Sequence, residues 1–149
     1  MKRSTHAIFG GGVAGFSASL MGCEYSCILA AIAAGSLLNA LVDSLSHIVV
    51  GDRVYRGRLL HSLEGITIFF LAASMAIAAV ASMEARSAAV LAFSMAVSGA
   101  SHILLDLVTP GGVYVAGRRV RVPLASYDDP VLNVLLQASG LMLAIASLV

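Results

Sequence analysis

The sequence has no tryptophan, three prolines, two cysteines and little charge, with Asp, Glu, Lys and Arg making up only 11% of its 149 residues. Soluble domains average about 25% charged residues, so the chain lacks the polar coat that a water-exposed surface needs. Its residues are 59% hydrophobic before 14 glycines are added, and the mean hydropathy is +0.94. A soluble fold of this length cannot hide so much apolar surface. That excludes a free cytosolic globular domain, a disordered or fibrous chain and a nucleic-acid-binding module. The net charge of +1 calls for no partner of opposite sign. Cys23 and Cys27 are too few for a disulfide framework and lack the second pair of a zinc knuckle, so they read as small packing residues near a helix end. Only the missing tryptophan runs against a membrane protein, whose interfacial belts favour Trp and Tyr.

What is present is long apolar runs. A spanning helix takes roughly 20 mostly apolar residues, about 17–25 in practice. Five stretches qualify: 6–22, 27–50, 62–83, 87–108 and 131–149. Their Ala, Gly and Ser content suits helices that approach closely in lipid, where packing drives association. Lys2 and Arg3 before an apolar run are also how a signal peptide begins. However, no small-x-small cleavage site precedes a mature domain, and four further runs follow. Residues 1–149 therefore read as one all-α, membrane-embedded domain, an integral bundle of about five transmembrane helices.

The connecting segments set its orientation. With five helices, the N-terminus and the 51–61 and 109–130 loops share one side, which collects Lys2, Arg3, Arg53, Arg56, Arg58, Arg118, Arg119 and Arg121. Only Arg86 lies opposite. Excess Lys and Arg in short loops marks the cytoplasmic side, so the N-terminus and both long loops are expected there and the C-terminus outside. This places the protein in the cell (inner) membrane as a multi-pass chain, with the bilayer as its partner and anionic lipid head groups near the basic loops.

The four histidines cluster at the same level. His6 opens the first run, His47 falls in the last turn of the second, His61 starts the third and His102 sits near the end of the fourth. Carboxylates accompany them. Asp43 and His47 are four apart, as are His102 and Asp106, which puts each pair on one helix face. Asn39 and Ser98 continue those faces one turn deeper, and His61 and Glu64 are three apart. Ionisable side chains within spans are costly and usually face the bundle interior. Imidazole with carboxylate suits zinc first, with manganese or iron as alternatives. Taken singly, the same residues have plainer uses. A histidine at a helix end can snorkel or cap, Asp43 can pair with Arg53, and Asp106 with Arg118 or Arg119. Glu64, near a helix start, can complement the helix dipole. Taken together, they form a ligand set for one or two divalent ions.

Four segments carry a family resemblance. Thr5-His6-Ala7-Ile8-Phe9 resembles an N-terminal Gly/Thr-His motif. Asp43 to His47 is similar in place to an Asp-rich motif ending in His. Arg56-Gly57-Arg58-Leu59-Leu60-His61-Ser62 resembles both Arg-Thr-Pro-Leu-Thr-His-Ser and His-Arg-Gly-x-Thr-His-Ser. The most specific segment is Ser101-His102-Ile103-Leu104-Leu105-Asp106-Leu107-Val108-Thr109-Pro110-Gly111-Gly112-Val113, similar to Ser-His-x-x-x-Asp-x-x-Thr-Pro-x-Gly-Val. These motifs belong to the membrane-bound metal-dependent hydrolases that include the LexA-binding inner-membrane protein of bacteria and shorter archaeal relatives. The resemblance implies a multi-helix membrane hydrolase with His6, Asp43, His47, His61, His102 and Asp106 at a metal centre. Two departures remove possible ligands. One Asp replaces an Asp-x-Asp-His cluster, and Arg56 or Gly57 stands where the bacterial motif has its first His. They point to a single-metal site, or to an inactive relative.

The resulting expectation is a metal-dependent hydrolase at the cytoplasmic ends of the helices, acting on a phosphoester or lipid head group. Arg56 and Arg58 would bind the substrate, since guanidinium matches phosphate bidentately, although positive-inside topology alone also accounts for them. Glu64, one turn from His61, is the candidate general base. The alternative is a non-enzymatic metal-binding, ion-conducting or structural membrane protein, and an ion pathway would need Asn39, Ser98 and Ser101. Asp129 and Pro130 read as the cap and first residue of the last helix. Asn133 and Gln137 read as hydrogen-bonding partners between helices.

Overall fold

A computed structural model describes residues 1–50 and 53–149, with side chains described outside 47–56. Among the described residues the fold is all-α, with five helices: α1 (Arg3–Leu20), α2 (Tyr25–Ser46), α3 (Leu63–Val80), α4 (Ala85–Leu107) and α5 (Pro130–Ala146). Of these, α2, α3 and α4 are long and apolar enough to cross a membrane, while α5 is a shorter apolar helix of 17 residues.

Two of the helix starts follow from local chemistry. Ser62 caps α3 by accepting the Gly65 N–H, and Glu64 occupies its first turn, where a carboxylate complements the dipole. Asp129 caps α5 by accepting the Leu132 N–H at 2.9 Å, with Pro130 as the first helical residue, as the sequence predicts.

The second apolar run does not stay helical to Val50. It leaves the helix after Ser46, and β1 (His47–Val50) pairs antiparallel with β2 (Arg53–Arg56), His47 opposite Arg56. The β-branched Ile48, Val49 and Val50 favour this extended form. His47 is thus the first residue of a strand rather than part of the last helical turn. The 109–130 segment holds a second hairpin, β3 (Val113–Val115) with β4 (Arg118–Val120). Its two-residue turn, Ala116 and Gly117, has both φ values positive, the type I′ geometry that matches strand twist.

Helix α1 is the hub, packing on α2, α4 and α5, while α3 leans mainly on α4. That peripheral place explains why α3 buries a single stripe, Ile66, Phe70, Ser74 and Ala78, and turns Ile68, Leu71 and Met75 outward. The apolar core is built from Ala14, Ala18, Ile28, Ala31, Leu38, Val42, Ile66, Phe70, Leu91, Met95 and Ile103.

The α1–α5 contact depends on small residues. A Cβ on Gly12 would lie 1.9 Å from the Gly140 carbonyl oxygen, and one on Gly140 would lie 2.6 Å from Phe9 Cα. Both obstacles are backbone and cannot swing aside. A polar clamp adds to the contact. The Asn133 side chain accepts from Thr5 Oγ1 and the Lys2 N–H, and Gln137 donates to Thr5 Oγ1 at 3.0 Å. Both residues thus serve the inter-helix role expected of them. Gly140→Val is expected to cost about 1–3 kcal/mol or more by overpacking, read as a lower unfolding midpoint in detergent. An unchanged midpoint would show that α5 is not seated on α1.

The α1–α2 and α3–α4 turns lie at the end opposite the hairpins. There Cys23 and Cys27 form a disulfide, with Cα atoms 5.9 Å apart. The reading of two packing thiols is therefore corrected. Cys23 precedes α2 rather than lying within it, so its backbone is free to carry the sulfur over the first turn.

Candidate metal centre

Four elements bring the buried polar side chains together. His6 comes from the first turn of α1, Asp43 from the last turn of α2, and His102 and Asp106 from the last two turns of α4. His61 is supplied by the segment before α3, where its carbonyl accepts the Tyr114 N–H at 2.8 Å. All five are buried, and His61, His102 and Asp106 have no exposed surface.

Asp106 is the focus. Its Oδ1 is 3.6 Å from His6 Nε2, and its Oδ2 is 3.3 Å from His61 Nε2 and 3.6 Å from His102 Nε2. His102 Nε2 is also 3.8 Å from Asp43 Oδ1. The rings crowd as well, with the His6 and His102 centroids 4.0 Å apart. Two trios, His6–Asp43–His102 and His61–His102–Asp106, each offer ligand atoms within 4.8 Å of one another.

The far sides of the rings are fastened. His6 Nδ1 donates to Asp43 Oδ2 at 2.8 Å, and His102 Nδ1 donates to Asn39 Oδ1 at 2.9 Å. Each ring therefore turns its Nε2 inward, and the Nε2 atoms of His6 and His102 make no hydrogen bond. Buried polar atoms are nearly always hydrogen-bonded, so two imidazole nitrogens without such a bond, each 3.6 Å from an Asp106 oxygen, suit a cation. The spacing suits one too. Ligand atoms about 2.0–2.1 Å from a tetrahedral ion stand about 3.3–3.4 Å apart, close to the separations of Asp106 Oδ2 from His61 Nε2 and His102 Nε2. The donor set of imidazoles and carboxylates also fits a divalent transition ion.

Five of the six sequence-predicted ligands are thus gathered: His6, Asp43, His61, His102 and Asp106. The sixth, His47, has its side chain outside the described residues, as does Arg56. The candidate base Glu64 stands apart. Helix α3 begins only at Leu63, so His61 and Glu64 do not share a helix face. Instead Glu64 is exposed and accepts the Ala116 N–H at 2.6 Å, tying α3 to the β3–β4 turn. Arg58 is exposed, donates to the Gly117 carbonyl at 3.0 Å and lies over the Tyr114 ring at 5.3 Å. Arg119 donates to the Pro110 and Gly111 carbonyls. Asn39 and Thr109, both fully buried, belong to the site's surroundings. For Asn39 the signal was its place four residues before Asp43.

Residues 1–105 match a family described as Protein of unknown function (DUF1286). The match covers α1, α2, α3 and nearly all of α4, and the chain belongs to that family. No curated protein and no solved structure matches it.

Proposed function

We propose that this member of the DUF1286 family is a multi-pass membrane protein that holds one divalent ion, zinc in the first instance, and hydrolyses a phosphoester at the cytoplasmic face. In this reading all five helices cross the bilayer and the N-terminus is cytoplasmic. The observation that carries it is the convergence of three imidazole Nε2 atoms on one buried carboxylate, at 3.3–3.6 Å. His6, His61, His102 and Asp106 would hold the ion. Asp43 would orient His6 through Nδ1, as carboxylates commonly orient metal-binding imidazoles.

A divalent ion bound there supplies Lewis acidity and lowers the pKa of water toward neutrality. The protein's own residues do the rest. Ile103, next to His102 in α4, and Val113, next to the Tyr114 whose N–H bonds the His61 carbonyl, are buried. Arg58 spends one nitrogen on Gly117 and keeps further N–H donors for a phosphate, with Arg56 two residues before it. A lipid head group is the favoured substrate because the basic loops sit at the membrane level. The hydrolytic half of the proposal rests on the resemblance of the 101–113 segment to metal-dependent membrane hydrolases.

A second reading is favoured by the burial itself. Side chains with no exposed surface describe a closed centre, and closed four-ligand zinc sites are structural. An ion-conducting role has less support, because Ala14, Ala18, Ile28, Ala31 and Leu91 fill the opposite half of the bundle.

The test begins with protein purified in detergent without chelators. About one zinc or manganese per chain is expected in the wild type and none in His102→Ala, by elemental analysis. Metal-free wild-type protein from such a preparation would sink the proposal. Loaded protein is then assayed on phospholipid head groups and a chromogenic phosphomonoester. Turnover lost with chelator and restored by zinc supports the hydrolase. Raised thermal stability without turnover identifies the structural centre.

A further inference from the structure

One turn deeper than the cluster, three helices meet through a chain of hydrogen bonds. Asn39 on α2 and Ser98 on α4 have no exposed surface. Asn39 Nδ2 lies 2.7 Å from the Gly35 carbonyl oxygen and 2.9 Å from Ser98 Oγ. Ser98 Oγ in turn lies 2.9 Å from the carbonyl oxygen of Gly10 on α1, and Asn39 Oδ1 lies 2.9 Å from His102 Nδ1.

The direction of each proton follows from groups that can only accept. The Gly35 carbonyl has no proton, so the Asn39 atom facing it is the amide nitrogen. Its other terminal atom, facing His102, is therefore the oxygen. Ser98 gives its single proton to the Gly10 carbonyl and so accepts the second N–H of Asn39. An amide oxygen can only accept, which leaves the proton of the bond to His102 on Nδ1. A neutral imidazole carries one proton. His102 Nε2 is then bare, and it faces Asp106 at 3.6 Å and Asp43 at 3.8 Å. Gly10 leaves room for this arrangement, since a Cβ there would lie 2.1 Å from Asn39 Nδ2.

We infer that Asn39, seated on the Gly35 carbonyl and Ser98, is a positioning residue that fixes His102 in the Nδ1–H tautomer and so presents its Nε2 lone pair to the centre. Asp43 serves His6 in the same way with a carboxylate. The consequence for metal affinity rests on the proposed metal centre, whereas the tautomer itself is a property of the metal-free protein.

The experiment uses the full chain, labelled with nitrogen-15 in its histidines, in detergent micelles at neutral pH after chelator treatment. Long-range proton–nitrogen correlations read the tautomer of His102, assigned by connection to its own backbone. Wild type is expected to show a protonated Nδ1 and a bare Nε2, with Nε2 the nitrogen that shifts when zinc is added. Asn39→Leu removes the acceptor, and is expected to populate the Nε2–H tautomer and weaken zinc binding about 10- to 100-fold, the usual cost of losing such a partner. A protonated Nε2 in the neutral wild-type ring overturns the inference, and needs no variant to fold. So does a folded Asn39→Leu whose tautomer and zinc affinity match wild type. The expected tautomer together with no zinc binding upholds the role of Asn39 and overturns the metal centre instead.

Discussion

Asp106→Asn is expected to lose tight zinc binding and, with it, the stabilisation that zinc confers. Asp106 is the one side chain that all three inward-facing imidazoles approach, at 3.3–3.6 Å. Asparagine keeps the volume but removes the charge and replaces one acceptor oxygen with a donor. Loss of a direct ligand should exceed the roughly 10–100-fold cost of losing a residue that only orients one. A ligand that binds only the folded state stabilises it by about 4.1 kcal/mol at a thousandfold excess over Kd. For a chain of this size that corresponds to a rise in melting temperature on the order of 10 °C. Wild type should show that rise when zinc is added after chelation, whereas Asp106→Asn should show little or none. The same scan separates ligand loss from misfolding, since a folded variant still melts cooperatively in chelator. A variant that gains as much from zinc as wild type would remove Asp106 from the centre.

The reach of the sequence differs from one part of the site to another. His102 and Asp106 were legible as a pair because four residues make about one helical turn, and the helix carrying them is continuous. The same periodicity put Asn39 and Asp43 on one face and Ser98 and His102 on another. What periodicity could not supply was the partner across space. His6 and Asp43 are 37 residues apart and meet only because α1 packs on α2. Likewise, the Asn39–Ser98 bond joins two helices through a contact that depends on Gly10 having no side chain. The hairpins were hidden for a different reason. Ile48, Val49 and Val50 extend an apolar run without a break in composition, so hydropathy alone reads them as helix. His61 follows from the same limit. Its neighbour Ser62 caps α3, which leaves His61 outside the helix and carries Glu64 to the surface instead of the cluster. The disulfide was missed because two cysteines four apart look alike whether or not the first lies within the helix.

Orientation gives the other large effect, an all-or-none one. Eight of the nine basic residues belong to the end that carries the His/Asp cluster. The Cys23–Cys27 disulfide lies at the opposite end, beside the turn that leads into α4, with Cys27 Sγ 3.9 Å from the Ser87 carbonyl oxygen. The two features are independent, yet they point the same way. Lys and Arg remain on the cytoplasmic side, and disulfides persist on the oxidising side. Two exposed positions test the arrangement while leaving the disulfide in place. Leu124, in the segment between β4 and α5, is well exposed, and so is Val149, beyond α5. In right-side-out vesicles a membrane-impermeant maleimide is expected to label Val149→Cys and to leave Leu124→Cys untouched. Inside-out vesicles should reverse the pattern. Reduction with an impermeant phosphine should then expose Cys23 and Cys27 to label only from the side that labels Val149→Cys. If both introduced cysteines react from one side, α5 does not cross, and the 17-residue helix lies within or along the membrane. If the pattern is complete but inverted, the helix count stands and the His/Asp cluster faces outward, which would remove cytoplasmic-leaflet head groups as its substrate.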